Sequence, residues 1–242
     1  MTNLQAFATR YQQHLLKGDV CTGQFATNDI LCIHGAGKAD RSRYSALRSS
    51  LHQKGFGSVA FDCIGHGETG GLPEQSSLIS RTYQAEAVLQ ARDMNKPLTL
   101  IGASMGGYCA IDLTQTHRVN SLILIVPAVY APEAYQVPFG PAFSSIIRQH
   151  RSWETTDAWK QIAKFSGSLL VIAAELDDVI PFEIPQRLIS SASASCWKKL
   201  HVVKGAGHSL LLSLLKNQPV TDDVMEDVVT CIESGASPSL TP

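Results

Sequence analysis

The chain carries little charge and no excess of either sign. Only 17% of its 242 residues are charged, with 20 Lys and Arg against 21 Asp and Glu, and 44% are hydrophobic. A net charge of −1 offers no basic surface for nucleic acid or anionic lipid, which bind through clusters of cations. These proportions exclude a disordered chain and predict a folded protein whose partner is a small molecule.

Long apolar runs are also missing. The longest, Leu122 to Ala131, is too short to span a bilayer and contains Pro127, so no integral membrane association is predicted. The first twenty residues lack the apolar stretch and cleavage site of a secretory signal, so we expect a cytoplasmic protein. The six cysteines form no CxxC pair and share no metal-ligand spacing with a histidine. We therefore expect free, mostly buried thiols and no metal.

Short β-branched runs alternate with longer periodic segments, a pattern that predicts an α/β fold with a mostly parallel sheet and helices on both faces. The predicted strands are 30–33, 58–61, 98–101, 122–126, 169–173 and 200–203. The predicted helices are 41–54, 78–95, 105–116, 181–191, 209–216 and 221–231. Leu4, Phe7, Tyr11 and Leu15 recur at helical intervals, so the chain is predicted to open with an amphipathic helix that ends at Gly18.

One segment interrupts this alternation. Residues 127–165 are rich in proline and aromatic side chains, and we interpret them as an insertion into a core formed by residues 1–126 and 166–234. Residues 235–242 are polar and rich in Ser and Pro, and are predicted to form a flexible tail.

A GxSxG sequence places Ser104 between an apolar run and a helical segment. This strand-turn-helix setting suits a nucleophile, because the sharp turn exposes the hydroxyl while the glycines avoid clashes with the neighbouring strand and helix. A serine hydroxyl is a poor nucleophile at neutral pH, so a base oriented by an acid must assist it.

Candidates for the acid and the base follow the last two predicted strands, in the chain order Ser, Asp, His. Asp177 and Asp178 come after one strand, and His208 lies on a Gly-rich turn after the other. The carboxyl ends of strands are where open α/β sheets keep their sites. Another such turn, His34 to Gly37, could add a backbone N–H to that of Met105 in an oxyanion hole.

Five motifs together resemble the α/β-hydrolase fold, in its serine esterase and monoacylglycerol-lipase-like branch. They are HGAG at 34–37, DCIGHG at 62–67, GASMGG at 102–107, ELDDVIP at 175–181 and GAGH at 205–208. The resemblance covers nearly the whole chain. It implies acyl transfer to water, with Ser104 as nucleophile, His208 as base and Asp177 as acid.

Within that resemblance, Asp177 is the acid because it stands four residues before the proline of the motif. Asp178 is the alternative, since a one-residue shift of the turn would exchange the two carboxylates. The backbone N–H groups of Ala36 and Met105 are implied as the oxyanion hole. No cofactor is implied, and a serine nucleophile argues against the dehalogenase and epoxide hydrolase branches, which carry an aspartate at that position.

Some features depart from the family or compete with this assignment. Residues before Ile30 look too short for the two strands that usually open the fold, unless residues 21–26 supply one, so a trimmed sheet is expected. Asp62 and His66 also follow a strand and form a rival acid and base. We interpret them as structural because they precede the serine and because the GHG turn recurs in the family without a catalytic role.

By resemblance, residues 127–165 form the cap over the site. Five aromatic residues there are candidates for an acyl or aromatic pocket, or for the cap's own core: Tyr130, Phe139, Phe143, Trp153 and Trp159. The favoured function is hydrolysis of small or medium carboxylic esters. The alternatives are a thioesterase, aminopeptidase, lactonase or C–C bond hydrolase, or a non-catalytic ligand-binding protein on the same fold.

Overall fold

An eight-stranded sheet forms the centre of the protein, in the order β1-β2-β4-β3-β5-β6-β7-β8. The computed structural model describes residues 4–24, 29–94, 96–214 and 217–236. The strands are β1 Leu4–Tyr11, β2 His14–Cys21, β3 Asp29–Ile33, β4 Ser58–Phe61, β5 Leu98–Ala103, β6 Val119–Ile125, β7 Ser168–Ala174 and β8 Trp197–Val203. Strand β2 pairs antiparallel with β1 and β4, and every other pairing is parallel. All six predicted strands are confirmed, as is the α/β class.

Helices cover both faces of this sheet. They are α1 Ser45–Gln53, α2 Leu78–Ala91, α3 Met105–Leu113, α4 Pro141–Ile147, α5 Ala158–Lys164, α6 Glu183–Ser191, α7 Leu210–Leu214 and α8 Gln218–Ala236. Helices α1, α7 and α8 pack together on one face, while α2, α3, α5 and α6 form a continuous layer on the other. The central strands β5, β6 and β7 are almost fully buried between the two layers, which explains their largely apolar sequences.

The opening of the chain differs from the prediction. Residues 4–21 form a β-hairpin rather than a helix, so the sheet has both opening strands and is not trimmed. Leu4 and Leu15, two members of the supposed helical face, are exposed to 50% and 45%. A Cβ at Gly18 would lie 2.6 Å from the Ala60 carbonyl oxygen and against the Phe7 ring. Pairing with β4 therefore overrides the helical spacing.

The chain's last described helix also differs from its predicted boundary. Helix α8 continues to Ala236, so the first two residues of the predicted tail are helical. A Cβ at Gly235 would meet the Ser168 hydroxyl at 2.7 Å, and this close approach holds the end of the helix against the sheet. The rest of the predicted tail, 237–242, lies outside the described residues.

The cysteines behave as predicted from their scattered positions. All six are free, five are buried and Cys196 is exposed. None of the described helices is long and apolar enough to cross a membrane.

Candidate active site

Ser104 lies in the tight turn that joins β5 to α3. Its backbone has φ 49° and ψ −117°, a conformation that non-glycine residues rarely adopt. Hydrogen bonds hold this turn in place: the Ser104 N–H donates to the Ile125 carbonyl at 2.9 Å, and its carbonyl accepts from the Ala128 N–H at 3.1 Å. The strand β6 next to the turn therefore supports a strained residue that projects beyond the end of the sheet.

The two glycines of the GxSxG motif are needed for space. A Cβ at Gly102 would lie 2.6 Å from the Cα of Gly107, and a Cβ at Gly106 would lie 2.6 Å from the His34 carbonyl oxygen. Real Cβ atoms do not approach that closely, so a side chain at either position would push α3 away from β5 or β3. The sequence interpretation of these glycines agrees with the packing.

His208 connects Ser104 to an acid. Its Nε2 lies 3.2 Å from the Ser104 Oγ, and its Nδ1 lies 2.9 and 3.1 Å from the two carboxylate oxygens of Asp177. Because the carboxylate accepts from Nδ1–H, the neutral ring presents the lone pair of Nε2 to the serine hydroxyl. The three residues come from the ends of β5, β7 and β8, which lie at one edge of the sheet.

The loop after β7 aims one of its two aspartates at the histidine. Asp177 Oδ1 accepts hydrogen bonds from the N–H groups of Val179 and Ile180, both at 2.9 Å, and its side chain is 7% exposed. Asp178 is exposed to solvent. Of the two carboxylates left open by the sequence, the structure brings Asp177 to His208.

The proposed oxyanion donors flank Ser104. A Cβ at Gly35 would lie 3.2 Å from the Ser104 Cβ, so the loop after β3 passes directly beside Ser104 and carries Ala36 into the same cavity. Met105 is the first residue of α3, and the N–H groups of a first helical turn have no carbonyl four residues earlier to bond. Both amides are thus available on the serine side of the turn.

A buried polar network lies behind this loop. His34 Nε2 accepts from the Cys63 N–H at 3.0 Å, so its Nδ1–H donates to the Gly35 carbonyl at 2.7 Å. Arg81 Nη2 donates to the same carbonyl at 3.0 Å. Burial and then the Arg81 charge hold the pKa of His34 well below its ordinary value, so the ring is neutral.

Sequence reasoning missed Arg81. It lies on α2 with no exposed surface, on the same buried stripe as Leu78, Ala85 and Val88. A lone arginine at a helical interval within an apolar stripe was the available signal, because such a position ordinarily holds a hydrophobic residue.

A cavity of about 290 Å³ opens on Ser104 and His208. Its lining residues are His34, Gly35, Ala36, Lys38, Ala39, Arg43, Ala103, Ser104, Val126, His208, Ser209, Leu211 and Leu212. Two cations thus stand on the side of the β3 loop, and leucines of α7 form an apolar side.

The candidate cap aromatics lie elsewhere. Tyr130, Phe143, Trp153 and Trp159 are buried in the cluster that packs on α2 and α3, and Phe139 packs against it. Their rings contact one another, with Trp153 and Trp159 centroids 6.3 Å apart and Phe139 and Phe143 centroids 4.9 Å apart. None of the five lines the cavity around Ser104. These contacts favour the alternative in which the aromatics form the core of the 127–165 segment.

The rival pair does not come together as acid and base. Asp62 accepts from the backbone N–H groups of Arg41 and Glu68 at 2.8 and 2.9 Å and is paired with the Arg41 guanidinium. His66 Nδ1 donates to the Ala39 carbonyl at 2.8 Å, while burial and the Arg81 charge lower its pKa to about 4. Within the part of the chain that the structure describes, no group of three or more His, Cys, Asp or Glu is arranged to hold a metal.

A second histidine outside the candidate site also pairs with an aspartate. His201, on β8, places its Nδ1 2.7 Å from the Asp227 carboxylate on α8, and Lys199 Nζ lies 2.7 Å from the other oxygen of that carboxylate. Asp223 lies 3.4 Å from its Nε2. This cluster ties α8 to the edge of the sheet.

Residues 26–153 match the family model described as "Serine aminopeptidase, S33" (Hydrolase_4), which is more than half of the 242-residue chain. The chain belongs to this family of α/β-hydrolases. The matched region contains Ser104 and the β3 loop, while Asp177 and His208 lie beyond it.

Individual relatives match the sequence of this chain at low identity. This α/β-hydrolase is 28% identical over 184 residues to an uncharacterised protein of Mycobacterium tuberculosis, covering 74% of this chain and 62% of that protein. It is 30% identical over 185 residues to the lysophosphatidylserine lipase ABHD12 of Xenopus tropicalis, covering 68% and 46%. The chain therefore spans less than two thirds of the length of these curated relatives.

Solved structures give the same fold. An esterase from Exiguobacterium antarcticum, EaEST, superposes with a TM-score of 0.71 at 17% identity, covering 95% of this chain and all of the esterase. At that identity the likeness concerns the fold alone.

Proposed function

We propose that this α/β-hydrolase is a serine esterase that cleaves carboxylic esters of small or medium acyl groups. The observation that carries the proposal is the continuous chain of contacts from Asp177 through His208 to the Ser104 hydroxyl, which opens on a cavity. A His–Asp pair with a purely structural role would not require a serine, held on a strained turn, beside the second ring nitrogen of the histidine.

Acylation follows from this geometry. His208 Nε2 takes the Ser104 proton as Oγ attacks the ester carbonyl, and Asp177 holds the ring and stabilises the imidazolium that forms. The two electrons of the carbonyl π bond move to its oxygen, where the N–H groups of Ala36 and Met105 receive the negative charge. Collapse of the tetrahedral intermediate expels the alcohol, to which His208 returns the proton.

Deacylation repeats these steps with water. His208 removes a proton from the attacking water, the same two amides receive the second oxyanion, and the carboxylic acid leaves as Ser104 regains its proton. Apart from the ester and this water, the proposed steps use only side chains and backbone N–H groups of this chain.

The cavity supports an ester of modest size. A volume of about 290 Å³ is near the lower limit of small-molecule sites. The described lining residues include no carboxylate that could hold the free amine of an aminopeptidase substrate, and they include Lys38 and Arg43 instead. The frog relative named a lysophosphatidylserine lipase also supports ester cleavage.

The proposal is tested by hydrolysis of a p-nitrophenyl ester series from acetate to laurate. We expect turnover that peaks at a short or medium acyl chain and falls by about 10³-fold or more in Ser104→Ala. The exposed Ser190 provides the control variant, Ser190→Ala, which should act like the intact protein. Absence of turnover on every ester by a folded protein would overturn the proposal, and acyl-CoA thioesters and aminoacyl amides would be assayed next.

A further inference from the structure

Arg81 is a fully buried cation without an acidic partner. The side chain has 0% exposure, and none of the ion pairs among the described residues includes it. Its Nε has no hydrogen-bond partner among those residues. The guanidinium stays protonated at every ordinary pH, and a buried charge is normally paired because its hydration is lost. Its placement therefore serves stability poorly.

The neighbours of Arg81 do not neutralise it. Cys63 and Cys109 lie beside the guanidinium, and burial raises the pKa of Cys63 and brings that of Cys109 to about 12, so both thiols are neutral near pH 7. His34 is neutral as well. A net positive charge remains behind the β3 loop.

The guanidinium contacts Met105 and the peptide group that carries the Ala36 N–H. Its Nη2 donates to the Gly35 carbonyl at 3.0 Å, and its Nη1 lies 3.0 Å from the Met105 sulfur. The Gly35 carbonyl and the Ala36 N–H belong to one peptide group, and no cis peptide occurs in the described chain. In a trans peptide these two bonds point in opposite directions, so the N–H of Ala36 is directed away from Arg81.

We propose that Arg81 is a positioning residue of the oxyanion hole, which holds and polarises the Gly35–Ala36 peptide so that the Ala36 N–H becomes a stronger donor. This inference rests on the proposed esterase function. A cation on the carbonyl oxygen draws electron density from the amide nitrogen, and hydrogen bonds in series strengthen one another at low dielectric. The hydrogen bond from the Ala36 N–H to the developing oxyanion is then strengthened more than the hydrogen bond from the same N–H to the carbonyl of the neutral ester.

The test compares Arg81→Met with Arg81→Lys and a matched control, Arg48→Met. Arg48 is also a buried arginine, 4% exposed, but it pairs with Asp19 and lies outside the cavity lining. We expect Arg81→Met to lower kcat about tenfold or more with little change in KM, as for the partial loss of an oxyanion donor. Arg81→Lys keeps the positive charge, so its kcat should lie between that of Arg81→Met and that of the intact protein.

A trifluoromethyl ketone separates this role from a structural one. Ser104 Oγ bonds to the ketone carbon, its proton passes to His208, and the carbonyl oxygen becomes the hemiketal oxyanion. We expect Arg81→Met to raise the pKa of the hemiketal hydroxyl, read by ¹³C NMR, by about one unit, which is a tenfold weaker preference for the anion. Arg48→Met should leave the hemiketal pKa unchanged, even if the substitution lowers the midpoint of thermal unfolding.

Two results would overturn the inference: a folded Arg81→Met with the kcat of the intact protein, or one with an unchanged hemiketal pKa. If Arg81→Met does not fold, the test uses Arg81→Lys. The single amine of lysine cannot bond the Gly35 carbonyl and the Met105 sulfur at once, as the two guanidinium nitrogens do, so this variant should also raise the hemiketal pKa. Absence of turnover by the intact protein would instead count against the esterase function itself.

The charges around the cavity support a second, independent inference about the substrate. Lys38 and Arg43 line the cavity, and neither Asp nor Glu occurs among the described residues that line it. No ion pair of the described residues includes either cation, and the Arg43 guanidinium makes only a long hydrogen bond, 3.4 Å, to the Lys38 carbonyl. By contrast Arg41, two residues earlier, is paired with Asp19, Asp62 and Glu68.

We infer that the preferred ester carries an anionic group, a carboxylate or a phosphate, that is held by Lys38 and Arg43. The inference also rests on the proposed esterase function. The opposite side of the cavity is apolar, formed by Leu211 and Leu212, so the cavity separates a charged part of a substrate from an apolar part. Arginine binds carboxylates and phosphates through its forked donors, and lysine adds a point charge.

Matched esters test this preference. Phenyl acetates that bear a para carboxylate or a para phosphate are compared with the neutral para carboxamide, and mono-p-nitrophenyl glutarate is compared with p-nitrophenyl pentanoate. We expect kcat/KM to favour at least one anionic ester about tenfold, a coupling of the size typical for one charged hydrogen bond. The phosphate and carboxylate arms show which anion is bound.

The double variant Lys38→Met, Arg43→Met should reduce that ratio to near one, while Lys160→Met, which removes an exposed cation from α5, should keep it. A ratio at or below one for every anionic ester, or a ratio that the double variant leaves unchanged, would overturn the inference. Turnover of the neutral esters that is lost in Ser104→Ala would leave the esterase function standing in that case.

Discussion

Among the described residues, His208 and His201 each place Nδ1 against an aspartate in nearly the same geometry, and the two pairs differ in what lies beyond them. His208 Nδ1 is 2.9 Å from Asp177, and His201 Nδ1 is 2.7 Å from Asp227. The second nitrogen of His208 faces the Ser104 hydroxyl at 3.2 Å, whereas that of His201 faces the Asp223 carboxylate at 3.4 Å.

The difference shows what makes such a pair chemically useful. A histidine between two carboxylates has no nucleophile to deprotonate, and Lys199 further commits Asp227 to an ion pair. His208 has a neutral hydroxyl on one side, a carboxylate on the other, and a cavity beside it. We therefore expect the second pair to hold α8 against β8, and the first to supply the general base of the proposed reaction.

Substitution of the two histidines should separate these roles most strongly. We expect His208→Gln to lower kcat by about 10⁴-fold or more, because Ser104 loses its base. His201→Gln should keep kcat within about twofold, since catalytic losses depend on groups that touch the reacting atoms. Ester hydrolysis under substrate saturation measures both, and equal losses in the two folded variants would contradict the assignment.

The two aspartates of the β7 loop provide the next largest contrast. Asp177→Asn should lower kcat by about 10³- to 10⁴-fold, because an amide in that place favours the wrong tautomer of His208. Asp178→Asn changes an exposed carboxylate and should leave kcat within about twofold. A larger loss in Asp178→Asn than in Asp177→Asn would mean that the loop reaches His208 in another register.

The structural pair should show its effect in stability. Asp227→Asn is expected to lower the free energy of unfolding by about 1 kcal/mol at pH 7, through weakened charged hydrogen bonds to Lys199 and His201. Urea titration of both proteins, with kcat as the control that should not change, measures the effect.

That stability difference should depend on pH. Burial alone would raise the pKa of Asp227, but the hydrogen bonds from Lys199 and His201 outweigh it and lower the pKa below the ordinary value. A carboxylate with a lowered folded-state pKa contributes stability above its unfolded pKa of about 4, and this contribution disappears as the pH falls through the folded value. The difference between the two proteins should therefore shrink below about pH 4. A difference that grows on acidification would contradict this role.

The parallel part of the sheet was predictable because its signals are local. Strands β5, β6 and β7 are largely buried on both faces and each contains an apolar run, so their positions follow without knowledge of their neighbours. The opening hairpin carried no such signal. Its turn residues, Gln12 and Gln13, lack the Asn-Gly or Gly pattern of two-residue hairpins, although Gln12 adopts φ 52°.

The sequence by itself determined the α/β class and the turn that carries Ser104, because strand periodicity and glycine are properties of short stretches of chain. Only the tertiary structure decided that Asp177 is the aspartate that reaches His208, that His201 pairs with Asp227, and that Arg81 lies behind the Gly35 carbonyl. It also placed Lys38 and Arg43 in the lining of the cavity and the aromatic residues of the 127–165 segment outside it. These contacts join residues far apart in the chain, and their distances depend on how separate elements pack.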